Sequence, residues 1–154
     1  MISEPENLIP ELQLWNNGRG IDIGGYLACM GNFELAIAFA NFFWPAFFEH
    51  DGCILRSDLR TAREFEIYEQ WKVSTKNNKT AIESVMNHVH ILDIFPNVET
   101  PPTREQILYV GRILNDMWTA KLHKDFPNRN VIIDFTDDCG DDLLEYQITC
   151  FQQR

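Results

Sequence analysis

The stretch Phe33–Phe48, FELAIAFANFFWPAFF, constrains the fold of this chain more than any other. Nearly every position from Phe33 to Trp44 is apolar, and seven aromatics fall within the segment. On a helix, Glu34, Ala38 and Asn41 stand at i, i+4 and i+7 and make one narrow polar or small stripe. A helix that is apolar nearly all round is covered on most sides. Asn32 is placed to cap its start, and Pro45 ends it, because proline clashes with the preceding turn. The segment is shorter than the ~20 residues of a membrane span and is interrupted by Glu34, Asn41 and Pro45. The expectation is therefore a buried core helix and no membrane.

Around that helix the sequence predicts an α+β domain over 1–154, with three to four helices and a small antiparallel sheet. Residues 1–14 read as an acidic arm, and Asn16–Gly25 as a turn-rich segment in which Ile21 and Ile23 alternate as a short strand. Asp51–Gly52 is a turn before a short strand at Cys53–Leu55. Thr61 with Glu64 suggests a capping box for a helix over Ala62–Trp71, although the alternation of Phe65, Ile67, Trp71 and Val73 also suits a strand. Thr80 with Glu83 suggests a second box, with Ile82, Val85, Met86, Val89 and Leu92 at helical spacing. Pro96–Pro102 is a connector. Thr103 with Gln106 opens a longer helix, with Ile107, Val110, Leu114, Met117 and Trp118 on one face, that fades near His123. Val131–Phe135 and the alternating run Leu144–Cys150 form a C-terminal hairpin. An isolated hairpin is marginal, so the strands near Ile21 and Cys53 are its expected partners.

Charge narrows the function classes. There are 13 Lys and Arg against 23 Asp and Glu, a formal net charge of −10. Such a surface repels phosphate backbones and anionic lipid, so nucleic acid is not an expected partner. A basic protein or another cation is attracted instead. The four cysteines, Cys29, Cys53, Cys139 and Cys150, form no CxxC pair and no zinc spacing. The N-terminus MISEPENLIPEL lacks a basic region and a long apolar run, so no signal peptide is expected. Free thiols in a reducing cytoplasm follow from these two readings.

Four candidate sites emerge. The first is the hairpin tip, where Asp134, Asp137, Asp138, Asp141, Asp142 and Glu145 fall within twelve residues. Carboxylates this dense suit a hard cation or, equally, a basic partner; the spacing is not that of an EF-hand loop, and the plainer explanation is a solvated loop whose charges blunt a strand edge and aid solubility. The second is Trp44, Phe47 and Phe48, beyond the aromatic helix, as an exposed patch for a partner or a second subunit. The third is His50 with Cys53 across the Asp51–Gly52 turn, the raw material of thiol catalysis without an orienting group. The fourth is His88 with His90, which diverge by about 160° if a helix runs through both and could share a metal if it ends earlier. The glycines of GRGIDIGG miss the dinucleotide fingerprint by one residue and serve turns. No catalytic constellation, cofactor motif or metal-ligand set is evident. The expected function is an acidic cytoplasmic protein-binding module, a regulator, inhibitor or immunity-type protein acting on a basic partner. The alternative is a small-molecule binder or enzyme with an apolar pocket beside Phe33–Phe48, and homo-oligomerisation is a third possibility.

Overall fold

The elements of the chain follow from local caps and turns. In a computed structural model, which describes residues 4–96 and 99–154, they assemble into an α+β structure with six helices and two small antiparallel sheets. Asn97 and Val98, within the proline-containing connector, lie outside the described residues. The chain gathers into two compact units, Met1–Phe42 and Phe43–Arg154.

In the first unit, two 3-10 turns, Pro5–Leu8 and Pro10–Leu14, lead to a single turn α1 (Trp15–Gly18), where Asn16 and Asn17 take left-handed φ of 54° and 56°. The run around Ile21 is not a strand. Asp22 accepts a 2.6 Å hydrogen bond from the Gly25 amide and caps α2 (Ile23–Met30). Alternation over four residues carries little weight against an aspartate placed to cap three amides later. Gly31 separates α2 from α3 (Phe33–Phe43), because a Cβ there would meet the Leu27 carbonyl oxygen at 2.6 Å. Asn32 caps α3 through a 2.8 Å bond from the Leu35 amide, as its sequence position predicts.

The second unit holds the core. β1 (Phe47–His50) and β2 (Cys53–Arg56) form a hairpin about Asp51–Gly52, both at positive φ. α4 (Ala62–Ser74) is a helix, its first turn closed by a 3.2 Å bond from the Glu64 amide to the Thr61 hydroxyl. α5 (Lys79–Met86) is capped by Asn78 and not by Thr80. β3 (Val89–His90) follows where helical spacing had suggested more helix. α6 (Arg104–Asp125) opens on a reciprocal capping box between Thr103 and Gln106. β4 (Val131–Thr136) and β5 (Gln147–Gln152) are the C-terminal hairpin, with Phe135 opposite Ile148 and Ile133 opposite Cys150. The third strand of that sheet is β3, in the order β3-β5-β4. Neither the Ile21 segment nor β2 joins it through a backbone ladder.

Leu55, Cys53, Tyr68, Ile82 and Met86 pack as one buried cluster, and Phe48, Leu59 and Ile67 lean on it. On α6, Ile107, Leu114, Trp118 and Leu122 are buried and stand at the helical spacing that places them on one face. Gly111 lies on the same helix against the Phe135 ring.

The expectation of a buried aromatic helix at the centre of the fold fails. α3 contains no buried residue, and Phe33 is 86% exposed. An all-apolar helix shows that cover is favourable, not that its own chain supplies the cover.

Candidate functional site

α2 and α3 meet at 117°, and most of their large apolar side chains are exposed. Ile37 is 69% exposed and Leu27 60%, while Met30, Leu35 and Phe39 are also exposed. Monomers seldom leave contiguous apolar surface of this extent in water. The unit beneath is held together by Trp15 edge-on to Tyr26 at 5.8 Å and by the Tyr26 hydroxyl donating to Glu11 Oε2 at 3.0 Å. That hydrogen bond and the nearby carboxylate push the Tyr26 phenol above its ordinary pKa. Gly18 and Gly20 adopt φ of 79° and 84° and serve turns. Among the described residues no single helix is long and apolar enough to cross a membrane.

The patch expected at Trp44, Phe47 and Phe48 is largely used in packing. Phe47 and Phe48, beyond the helix end as expected, belong to β1. Phe47 meets Trp118 edge-to-face at 6.1 Å, and Phe48 meets Phe65 at 6.3 Å with the Arg60 guanidinium 4.7 Å from its ring. Trp44 remains exposed, with Lys121 Nζ 5.7 Å from its ring centre. Strand pairing with β2 turns the two phenylalanines toward their neighbours, a consequence that apolar composition could not reveal.

The acidic tip is exposed. Asp137, Asp138, Asp141, Asp142 and Glu145 face solvent, while Asp134 lies earlier, on β4. Asp137 pairs with Arg112 at 3.8 Å, and Asp142 Oδ1 accepts from the Leu144 amide. The loop is shaped by Tyr146, fully buried, whose hydroxyl donates to the Gly140 carbonyl at 2.9 Å and accepts from Arg104 Nε at 2.6 Å. Among the described residues no three His, Cys, Asp or Glu side chains converge as metal ligands. Burial, and behind it the carboxylates of Glu145, Asp138 and Asp142, push the Cys139 thiol up.

His50 and Cys53 do not form a catalytic pair. Cys53 is fully buried, and desolvation, its largest perturbation, raises its pKa. Its sulfur lies 3.6 Å from the Tyr68 hydroxyl, which in turn donates to Asp51 Oδ2 at 3.3 Å. The His50 ring packs between Phe65 and Tyr68, each at 4.8 Å. Asp51 is the charged hub of this turn. Lys72 Nζ stands 3.0 Å from its Oδ2 and Lys79 Nζ 3.2 Å from its Oδ1, and Lys79 also donates to its backbone carbonyl. Hydrogen bonds from Lys72 and then Lys79 hold the Asp51 carboxyl down at about 2. A buried neutral thiol beside an already engaged carboxylate lacks an activated nucleophile.

His88 and His90 come together rather than diverge. α5 ends at Met86, and residues two apart on the following extended segment share a face. Their rings lie 4.5 Å apart, His88 Nε2 bonding Gln147 Oε1 and His90 Nδ1 bonding the Leu144 carbonyl.

Sequence reasoning missed a buried polar site. Glu83 and Asn87, both fully buried, stand one turn apart at the end of α5. Glu83 Oε1 accepts from the Ile54 amide at 2.7 Å, and Oε2 from the Gln152 amide at 2.8 Å. Asn87 Oδ1 accepts from the Arg56 amide at 3.1 Å, and its Nδ2 donates to the Ile54 and Cys150 carbonyls at 2.8 and 3.0 Å. β2 and β5 are thus joined by the side chains of Glu83 and Asn87, with no backbone ladder between them. Arg154 closes the site over Glu83. The available signal was Glu83 itself, a carboxylate directly after Ile82 in an apolar helical run, which the capping-box spacing explained away.

The chain matches no protein-family model, no curated protein and no solved structure.

Proposed function

We propose that this chain is a protein-binding module of the regulator, inhibitor or immunity type that docks on a basic partner through the apolar helices α2 and α3. The observation that carries the reading is the outward apolar face of α2 and α3, above all Phe33 and Ile37. Apolar side chains at i, i+3, i+4 and i+7 are what a helix presents to a partner's groove. The charge around that face selects the partner. The first unit carries Glu4, Glu6, Glu11, Asp22 and Glu34 against Arg19 alone. A groove rimmed by lysine and arginine complements it, and an acidic rim is rejected. The exposed carboxylates of the hairpin tip repeat the same preference in the second unit.

A photo-crosslinking side chain at position 37 tests this. The expected result is covalent capture of a basic protein, with yield falling as salt rises from 50 to 300 mM and lost on Phe33→Asp substitution. Because Phe33 is exposed, that substitution leaves the folded units intact, as circular dichroism will show. Capture confined to lipid or to a second copy of the chain, or capture indifferent to salt, overturns the reading.

A further inference from the structure

Glu83 is a fully buried carboxylate whose counter-ion comes from outside the regular elements. Arg154 lies two residues beyond β5, and its side chain is 36% exposed while that of Glu83 is wholly enclosed. Its Nη1 donates to Glu83 Oε2 at 3.1 Å and to Thr80 Oγ1 at 3.2 Å. Its Nη2 donates to Glu83 Oε1 at 3.3 Å and to the Gly52 carbonyl at 2.8 Å. Each of these acceptors is fixed by bonds that do not involve Arg154. The Ile54 and Gln152 amides hold the Glu83 carboxylate. Gln152 Nε2 donates to the Gly52 carbonyl at 2.9 Å, and Thr80 Oγ1 donates to the Gln152 carbonyl at 2.8 Å. The cradle therefore keeps its shape when Arg154 leaves.

We infer that Glu83, Thr80 and the Gly52 carbonyl form a guanidinium receptor, occupied in cis by Arg154, that accepts an arginine side chain from the basic partner in exchange. The arginine's origin rests on the binding reading above, whereas the receptor itself does not. Two nitrogens, each shared between two oxygens, match the planar fork of a guanidinium; a single ammonium nitrogen cannot span both ends of the carboxylate in this way. A buried carboxylate without a cation is strongly disfavoured, so Arg154 leaves when a second guanidinium takes its place. Its partial exposure marks the side from which that group enters.

The test uses the full chain with Arg154→Ala and two probes of equal charge, N-acetyl-arginine amide and N-acetyl-lysine amide. The substitution should lower Tm by roughly 10 °C, the scale set by an uncompensated buried carboxylate in a domain of this size. The arginine probe should restore at least half of that loss with a saturating dose dependence, and the lysine probe should not. Adding Thr80→Val, a milder change than any at Glu83, should weaken recovery several-fold. An unchanged Tm for Arg154→Ala, equal response to both probes, or no recovery overturns the receptor and leaves docking through α2 and α3 as it stands. Recovery by arginine, with capture at position 37 still indifferent to Phe33→Asp, supports the receptor and removes the docking reading alone.

Discussion

Glu83 and Asn87 engage the two backbone polar groups of one residue, Ile54, whose amide donates to the carboxylate of Glu83 and whose carbonyl accepts from the side chain of Asn87. Both also reach β5, at Gln152 and Cys150. The two side chains thereby tie β2 to β5 where no backbone ladder joins the strands. Buried backbone groups that lack water must find partners, and here two side chains supply them.

Asn87→Ala removes the partners of the Arg56 amide and of the Ile54 and Cys150 carbonyls together. At about 1–3 kcal/mol for each buried group left unmade, and with partial relaxation, a loss of roughly 3 kcal/mol is expected. Glu83→Gln keeps the shape but offers one acceptor oxygen where two are used, and should cost about 2 kcal/mol. Urea midpoints at constant slope check both values, and a change below about 0.5 kcal/mol for Asn87→Ala would contradict the bridging role.

Gly111→Ala sets two effects against each other. Alanine in place of glycine ordinarily favours a helix by about 1 kcal/mol. A Cβ at Gly111 would, however, run into the Phe135 ring. Overpacking of this kind costs about 1–3 kcal/mol, so the steric term should win and the variant should be less stable. Phe135→Leu should recover part of the loss in the Gly111→Ala background while destabilising the parent, and a double-mutant cycle measures that coupling.

The Asp51 turn should respond to acid. Its carboxyl is held at about 2, below the ordinary aspartate value of roughly 3.9, chiefly by the hydrogen bond from Lys72 and then by that from Lys79. A depressed folded-state pKa gives a contribution that is complete above the unfolded value and fades as pH falls toward the folded one. The loss should therefore fall between about pH 4 and pH 2, and high salt should weaken it because the ion pairs are partly exposed. Asp51→Asn should flatten the pH dependence of the urea midpoint in that window. Carbon-detected titration of the Asp51 carboxyl gives the midpoint directly, and a value near 4 would refute the assignment.

Much of this architecture was written locally. Asn32, Thr61 and Thr103 cap the helices their positions predict, because a cap depends on residues within one turn. The β4–β5 hairpin was legible for the same reason, since period-2 alternation is a local pattern. What failed was non-local. β3 is two residues long and exists because β5 lies beside it. Glu83 sits at capping-box spacing from Thr80, yet its carboxylate serves strands at Ile54 and Gln152, distant in sequence. Phe33–Phe43 announced its apolar character fully, but whether a face meets its own chain or another is not encoded in periodicity. Of the candidate sites, the tip carboxylates from Asp137 to Glu145 stand exposed, Phe47 and Phe48 went into packing, and the Glu83 cradle was invisible because its parts come from three segments distant in sequence.

The side-chain bridge at α5 also governs how this protein meets other unfolded or partly folded chains. A strand edge with free amides and carbonyls is a template on which foreign strands grow. Ile54, Arg56, Cys150 and Gln152 lend backbone groups to Glu83 and Asn87, so those groups of β2 and β5 are not available to a foreign strand. Loosening α5 would therefore expose two templates at once, along Ile54–Arg56 and along Cys150–Gln152.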